Sequence, residues 1–179
     1  MIAAVATRGD ITIKNCVPEH LDSLISKIQE VGGNVECDND TIRVWCNKRP
    51  SKTVINTLPY PGFPTDLQAQ MGVVLAIADG TSIINESIWD SRFQYTAELN
   101  KMGAKIIAQG KSAVFEGVNK LIGSPVFATD LRAGAALIIA GIAADGVTEI
   151  YNLHHIDRGY ENIEEKFSNL GANIQRIKD

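Results

Sequence analysis

The feature of this sequence that most restricts its fold is an internal repeat. Three segments share one order: a glycine turn, a short apolar β-run, an amphipathic helix, a second glycine turn and a second β-run. The segments open at Arg8-Gly9-Asp10, Asp79-Gly80-Thr81 and Asp145-Gly146-Val147, a spacing of about 70 residues. Self-similarity at a fixed period indicates a fold built from one unit used repeatedly. We therefore expect three copies of one α/β unit.

Each copy contains a helix with a single apolar stripe. In the first copy Pro18 suits the first helical position, and Leu21, Leu24, Ile28 and Val31 follow at steps of three or four. Such helices are half exposed. The β-runs expected after the second glycine turns begin at Asn34, Lys105 and Asn173.

A second kind of helix precedes the glycine turn, at residues 66–78 and 130–144. Both segments are apolar nearly all round, and a helix without a polar face must be enclosed by other elements. The pattern predicts helices inside and sheets outside. In the first copy the matching helix would start upstream of Met1, so we expect the chain to begin inside an element and to be part of a larger protein.

Composition narrows the classes of function. The chain has 179 residues, 45% of them hydrophobic, which suits one packed domain. A net charge of −4 without a basic stretch argues against nucleic acid as a partner. The longest apolar run, 133–144, is too short to cross a bilayer, and residues 1–10 lack a signal-peptide pattern, so a cytoplasmic location without membrane contact is expected.

The cysteines predict neither a disulfide framework nor a metal site. There are three, Cys16, Cys37 and Cys46, without C-x-x-C spacing. We expect all three to be buried as small apolar residues, which is usual for free cysteine.

Two enclosed helices open with nearly the same residues, 65–68 (Thr-Asp-Leu-Gln) and 129–132 (Thr-Asp-Leu-Arg). Thr65 with Gln68 matches a capping box, and Asp66 and Asp130 could serve as helix-start acids without any chemistry. Arg132 is different, because a cation in the first turn faces the positive end of the helix dipole. The sequence therefore predicts an anion close to Arg132.

Two more arginines, Arg92 and Arg158, are expected to open the outer helices of the second and third copies. Helix N-termini together with guanidinium groups hold phosphate and carboxylate, because both donate hydrogen bonds to oxyanions. The alternative is that these arginines pair on the surface with Asp90, Asp157 or Glu161. His154 and His155 lack ligand spacing and are interpreted as packing residues.

Three ordered motifs, residues 63–70 (FPTDLQAQ), 128–133 (ATDLRA) and 155–161 (HIDRGYE), resemble the bacterial UDP-N-acetylglucosamine enolpyruvyl transferases, also called UDP-N-acetylglucosamine 1-carboxyvinyltransferases. The resemblance covers the whole chain. It implies a fold of two similar domains, each an inside-out α/β barrel of three repeated units. Residues 1–179 would then be a single domain, most of the C-terminal one, with units at approximately 1–58, 59–124 and 125–179.

The activity that the resemblance implies is transfer of the enolpyruvyl group from phosphoenolpyruvate to the 3′-hydroxyl of UDP-N-acetylglucosamine, with release of phosphate. This is the first committed step of peptidoglycan synthesis, and it needs no cofactor or metal. Asp66 would be the general base and Asp130 a second acid near the reacting carbons. The groups implied to bind substrate are Thr65, the main chain of Ile88, Arg92, Arg132 and Arg158.

The chain also departs from the family. Its missing N-terminal domain would supply a loop cysteine, a lysine, further arginines and most of the uridine pocket, and none of the cysteines here matches that loop. We therefore expect this chain alone to be inactive. Two alternatives stay open: half of the related shikimate-pathway enolpyruvyl transferase, against which Arg158 in place of lysine argues, or a non-catalytic binding module of the same fold.

Overall fold

A computed structural model describes residues 1–177. Within that range it has seven α-helices, nine strands and three 3₁₀ turns, the turns at Pro18–Leu21, Thr65–Leu67 and Arg92–Gln94. The helices are α1 (Ile2–Thr7), α2 (Asp22–Glu30), α3 (Gln68–Ala76), α4 (Tyr95–Lys101), α5 (Leu131–Ala143), α6 (His154–Asp157) and α7 (Ile163–Asn169). The strands are β1 (Asp10–Ile13), β2 (Asn34–Asp38), β3 (Thr41–Trp45), β4 (Val54–Asn56), β5 (Thr81–Asn85), β6 (Lys105–Gln109), β7 (Ser112–Glu116), β8 (Pro125–Phe127) and β9 (Glu149–Tyr151).

The helices α1, α3 and α5 pack against one another at the centre of the molecule. All nine residues of α3 are buried, and so is the run Ala133–Ala140 in α5. A helix buried on every side has no polar face to show to water, which is why these sequences carry an apolar residue at nearly every position. The prediction of enclosed helices is confirmed.

Three separate sheets surround these helices. Their strand orders are β1-β3-β2, β4-β5-β7-β6 and β8-β9. The hairpins β2–β3 and β6–β7 are antiparallel, and so are the pairs β1–β3 and β5–β7. In contrast, β4 runs parallel to β5 and β8 runs parallel to β9. In β5 and β7 buried residues alternate with more exposed ones, as expected for a sheet with one face on the core. The arrangement matches the predicted barrel with helices inside and sheets outside.

The outer helices differ between copies. The predicted apolar stripes of α2 and α4 face the core, because their buried residues include Leu24 and Ile28 in α2 and Tyr95 and Leu99 in α4. The third copy has two short helices instead of one, with Gly159 between them. Asn162, just before α7, has a left-handed backbone (φ 44°), so a single continuous helix cannot run through this segment.

Two further details correct the repeat as read from sequence. Residues 172–177 form no strand, because a strand exists through its ladder of hydrogen bonds and no strand of the described range lies alongside. In the first copy the left-handed residue of the turn is Arg8 (φ 55°), where the other copies use Gly80 (φ 99°) and Gly146 (φ 93°). In the first copy the left-handed position therefore lies one residue earlier, before Gly9 rather than at it.

The expectation for the cysteines is correct only in part. Cys46 is buried, Cys16 is half-buried and Cys37 is exposed. Cys37 lies on β2, an edge strand with mostly exposed residues, where strand-like sequence does not bring burial.

Arg49 links the first copy to the second. Its Nε donates to the Ile77 carbonyl at 3.0 Å, and Nη2 donates to the carbonyls of Ala78 (2.8 Å), Gly117 (3.2 Å) and Val118 (3.0 Å). One planar guanidinium thus satisfies carbonyls just after α3 and just after β7, which fixes the end of the enclosed helix against the second sheet.

Candidate active site

The starts of α3 and α5 meet at a charged pair. Arg132, in the first turn of α5, donates from Nε to Oδ1 of Asp66, in the 3₁₀ turn before α3, over 2.7 Å. The Asp66 side chain is 58% exposed and that of Arg132 is 31% exposed. The structure therefore provides an anion beside Arg132, as the sequence predicts, and this anion comes from the neighbouring copy.

The pair changes the protonation of both groups. The hydrogen bond from Arg132 lowers the pKa of Asp66, and the charges of Arg132 and Arg92 lower it further. The same hydrogen bond raises the pKa of Arg132. Asp66 is thus an ionised, solvent-accessible carboxylate across the neutral pH range, which a proton acceptor requires.

Asp130 caps α5. Its Oδ1 accepts hydrogen bonds from the main-chain N–H groups of Arg132 (2.7 Å) and Ala133 (3.0 Å). The capping interpretation is confirmed for this residue, and its charge also offsets Arg132 at the positive helix end. A capping role does not exclude a second role, since Oδ2 takes part in no hydrogen bond within residues 1–177.

The capping box predicted for Thr65 and Gln68 is wrong. Pro64 is the N-cap of the 3₁₀ turn and Leu67 is the N-cap of α3, while Thr65 Oγ1 donates to Glu86 Oε2 at 2.8 Å. Gln68 is fully buried, and neither of its side-chain polar atoms has a partner among the described residues. A 3₁₀ turn precedes the α-helix here, so the spacing on which a capping box depends is lost.

Arg92 lies in the 3₁₀ turn before α4, as expected, but it does not pair with Asp90. Asp90 pairs with Lys111 at 3.2 Å, while the Arg92 guanidinium lies over the Trp89 ring, 5.4 Å from its centroid. Arg92 Nε is buried without a partner in the described part of the chain. The Nε–H of Arg92 is therefore able to donate a hydrogen bond to a bound anion. Arg92 also lies close enough to Asp66 for its charge to lower the pKa of that carboxyl.

Arg158 is not where the sequence places it. Arg158 is the C-cap residue of α6 and does not begin a helix. A cation at a C-terminal helix end is favoured by the helix dipole, so the dipole argument for a bound anion does not apply to Arg158. Its surface neighbours are used elsewhere, because Asp157 pairs with Arg176 (2.7 Å) and Glu161 with Lys166 (3.6 Å). Its substrate role stays a prediction.

Ile88 is exposed, and its N–H donates to Glu86 Oε1 at 2.8 Å. Among residues 1–177 no hydrogen bond reaches its carbonyl oxygen, so the main chain keeps an acceptor for a ligand. The Glu86 side chain, 2% exposed, is the important residue that sequence reasoning missed. The only signal was a charged residue directly after an apolar strand, which is equally typical of an exposed strand end.

His154 and His155 are neighbours at the start of α6. The rings of His154 and His155 lie 4.1 Å apart, packed on each other. Among the residues that the structure describes, no three His, Cys, Asp or Glu side chains converge as metal ligands. In the same range no helix combines the length and the apolar character needed to span a bilayer.

Comparisons with known proteins show which family the chain belongs to. The family profile of EPSP synthase (3-phosphoshikimate 1-carboxyvinyltransferase) matches residues 1–167. Among curated proteins, UDP-N-acetylglucosamine 1-carboxyvinyltransferase 3 of Caldanaerobacter subterraneus subsp. tengcongensis is 53% identical over 179 residues, all of this chain and 43% of that protein. UDP-N-acetylglucosamine 1-carboxyvinyltransferase 2 of Carboxydothermus hydrogenoformans is 52% identical, again over 100% and 43%. The chain thus spans less than half the length of the curated relatives it matches.

Two solved structures share the fold. The enolpyruvyl transferase NikO from Streptomyces tendae superposes with a TM-score of 0.85 at 24% identity, covering 97% of this chain and 42% of that one. EPSP synthase from Acinetobacter baumannii gives 0.76 at 16% identity, covering 100% and 45%. The resemblance inferred from the three motifs is confirmed, and this chain belongs to the EPSP synthase (3-phosphoshikimate 1-carboxyvinyltransferase) family, with UDP-N-acetylglucosamine 1-carboxyvinyltransferases as relatives about half identical to it.

Proposed function

We propose that this chain forms one side of an active site that transfers the enolpyruvyl group of phosphoenolpyruvate to the 3′-hydroxyl of UDP-N-acetylglucosamine. The observation that carries the proposal is the 2.7 Å pair of Asp66 and Arg132, an ionised base beside a cation at the meeting point of two helix starts. Relatives of that name at 53% and 52% identity support the choice of substrates.

The reaction has three needs, and these residues suit each of them. As the sugar hydroxyl attacks C2 of phosphoenolpyruvate, Asp66 accepts the hydroxyl proton. C3 gains a proton in the same step, and the candidate donor is Asp130 in its protonated form, through Oδ2, which takes part in no hydrogen bond within residues 1–177. Loss of phosphate from C2 and of a proton from C3 then restores the double bond. General-base catalysis of this kind contributes roughly 10² to 10⁴ in rate.

The cations would hold the phosphate and carboxylate of phosphoenolpyruvate. Arg132 is held in place by Asp66. Arg92 has a buried Nε donor without a partner in the described range. Arg158 is exposed and precedes Gly159, which lies close to Leu131 at the start of α5. Such groups stabilise charge that develops in the transition state, because they are oriented before the substrate arrives. Thr65 and the Ile88 carbonyl would contact the sugar nucleotide.

The proposal extends to the whole enzyme. The part of the relatives that this chain does not span would complete the site as a second domain, leaving residues 1–179 as one domain with units near 1–58, 59–124 and 125–179. The product would enter peptidoglycan synthesis and so serve cell shape and division. Both substrates are multiply charged and cross bilayers poorly, which favours a cytoplasmic reaction.

The test uses the intact enzyme, meaning this chain with the remaining part from its own gene or, as a chimera, from the Caldanaerobacter relative. Phosphate release from phosphoenolpyruvate is measured with UDP-N-acetylglucosamine and, separately, with shikimate 3-phosphate. We expect turnover only with the nucleotide sugar. Turnover only with shikimate 3-phosphate would support the alternative suggested by the family profile, and no turnover with either would support a non-catalytic module.

The matched variants are Asp66→Asn and Asp10→Asn. Asp10 is the control because it too is an aspartate bonded to an arginine, with Arg43 Nη2 at 2.8 Å, but it lies on β1 in the first sheet. We expect Asp66→Asn to lower kcat by roughly 10² or more and Asp10→Asn to leave it within about twofold. Equal kinetics for both variants would contradict the role of Asp66. The 179-residue chain alone is expected to release no phosphate.

A further inference from the structure

We infer that Glu86 is a positioning residue, which sets the loop that would hold the sugar nucleotide in register with the base Asp66. The inference rests on the proposed function for its kinetic part and on contacts of this chain for its structural part. Glu86 follows β5 directly and is 2% exposed.

One carboxylate oxygen of Glu86 organises the loop that follows it. Oε1 accepts from the N–H groups of Ile88 (2.8 Å) and Trp89 (3.0 Å) and from Thr57 Oγ1 (2.7 Å). The two main-chain bonds wind residues 86–89 into a tight turn around the carboxylate. The turn leaves the Ile88 carbonyl without a hydrogen-bond donor among residues 1–177 and places Trp89 beneath the Arg92 guanidinium.

The other oxygen reaches a different segment. Oε2 accepts from Thr65 Oγ1 at 2.8 Å, and Thr65 is joined directly to Asp66 in the 3₁₀ turn before α3. The Glu86 side chain is therefore a short bridge between the loop of Ile88 and the residue beside the candidate base. A shift of the carboxylate must move both segments together.

The bridge has a rigid base. The Glu86 N–H donates to the Lys111 carbonyl at 2.8 Å, and the Ser87 N–H donates to Thr57 Oγ1 at 2.9 Å. Thr57 is fully buried and continues β4, so the second sheet fixes Glu86 from two sides. Of the ion pairs formed within residues 1–177, none includes Glu86, so its charge is met by hydrogen bonds alone.

A carboxylate is the group that this arrangement requires. Four donors converge on it, and an ionised carboxylate accepts at both oxygens whereas an amide accepts at one. In Glu86→Gln the oxygen can keep the loop bonds, but the amide nitrogen then faces the Thr65 hydroxyl, which must turn round to accept. The substitution therefore alters the bridge to Asp66 while keeping the side-chain volume.

The kinetic test compares Glu86→Gln with Glu98→Gln in the intact enzyme. Glu98 is the matched control, because it is also buried (8% exposed) and also accepts a main-chain N–H, that of Phe127 at 3.0 Å, but on the side of β8. We expect Glu86→Gln to lower kcat about tenfold and to raise KM for the nucleotide sugar several-fold, with KM for phosphoenolpyruvate within about twofold. Glu98→Gln should leave all three within about twofold.

A double-mutant cycle tests the bridge itself. Thr65→Val removes the hydroxyl that donates to Oε2. If the bridge exists, the double variant should lose less kcat than the product of the two single-variant losses. Full multiplication would mean that the two residues act separately. Unchanged kinetics in Glu86→Gln with a lowered Tm would reduce Glu86 to a structural residue.

An NMR measurement on the 179-residue chain separates this inference from the proposed enzyme activity. The amide protons of Ile88 and Trp89 should shift in Glu86→Gln together with those of Thr65 and Asp66, whereas Glu98→Gln should leave all four unchanged. If these shifts occur and the intact enzyme is inactive, the proposed function fails and the bridge stands. If Thr65 and Asp66 do not respond, the bridge is refuted whatever the activity.

Discussion

Arg132 Nε and Asp66 Oδ1 lie 2.7 Å apart although the two residues belong to different copies of the repeat. The contact joins the turn before one enclosed helix to the first turn of the next. It means that the candidate base and the candidate anion-binding group hold each other before any substrate is present.

This contact predicts how Asp66 titrates. The hydrogen bond from Arg132 keeps its pKa below the ordinary value of 3.8, so the contribution of the pair to stability is complete above that value and is lost as pH falls through the lowered folded-state pKa. In Arg132→Gln the pKa of Asp66 should rise toward its ordinary value. Carboxyl ¹³C NMR titration of both proteins measures it, and an identical midpoint would contradict the pairing in solution.

Arg49 should matter for stability without touching the chemistry. Arg49→Ala leaves carbonyls after α3 and after β7 without their donors, and we expect the free energy of unfolding in urea to fall by about 2–4 kcal/mol. Arg43→Ala, which removes an arginine from an exposed pair with Asp10, is the control and should change stability little. A loss no greater than the control's would show that water replaces the Arg49 bonds.

Gly72 and Tyr95 form a tight internal contact. A side chain at Gly72 would lie 2.5 Å from the Tyr95 hydroxyl, which is buried and has no partner among the described residues. We expect Gly72→Ala to cost about 1–3 kcal/mol, and Tyr95→Phe to raise stability by about 1 kcal/mol because it removes that hydroxyl. The double variant should recover part of the loss, and urea unfolding of all four proteins tests this. Additive effects would mean that the two sites do not touch.

The three cysteines should differ in reactivity toward a thiol reagent in the native protein. Cys37 is exposed and should be labelled first, although partial desolvation raises its pKa and so slows the reaction at neutral pH. Cys46 is buried and should react only on unfolding. Mass spectrometry of partly labelled protein identifies the order, and early modification of Cys46 would show that the first sheet opens.

How far the sequence could predict this molecule depends on how local each signal is. The enclosed helices were predictable, because a segment such as Ala133–Ala140 without polar residues can only be buried. The outer stripe of α2 was predictable from its period. The break between α6 and α7 was not, because α3 and α5 also contain glycine, so Gly159 alone does not signal a helix break.

The candidate site shows the same limit. Arg132 was found from its unfavourable place in a helix, a local signal, and the structure supplies Asp66 as its partner. The same reasoning was wrong for Arg158, because the helix start on which it depended is a helix end. Glu86 could not be found at all, since its importance comes from donors contributed by segments before and after it in the chain.

The Asp66–Arg132 contact has one more consequence. Asp66 and Arg132 come from successive copies of the repeat. A single repeat unit, even one that folded well, would therefore carry the carboxylate or the guanidinium but could not form the ion pair within itself. In evolution or in protein design, one chain of this architecture can therefore gain the ion pair only after the unit has been duplicated and the copies pack against each other.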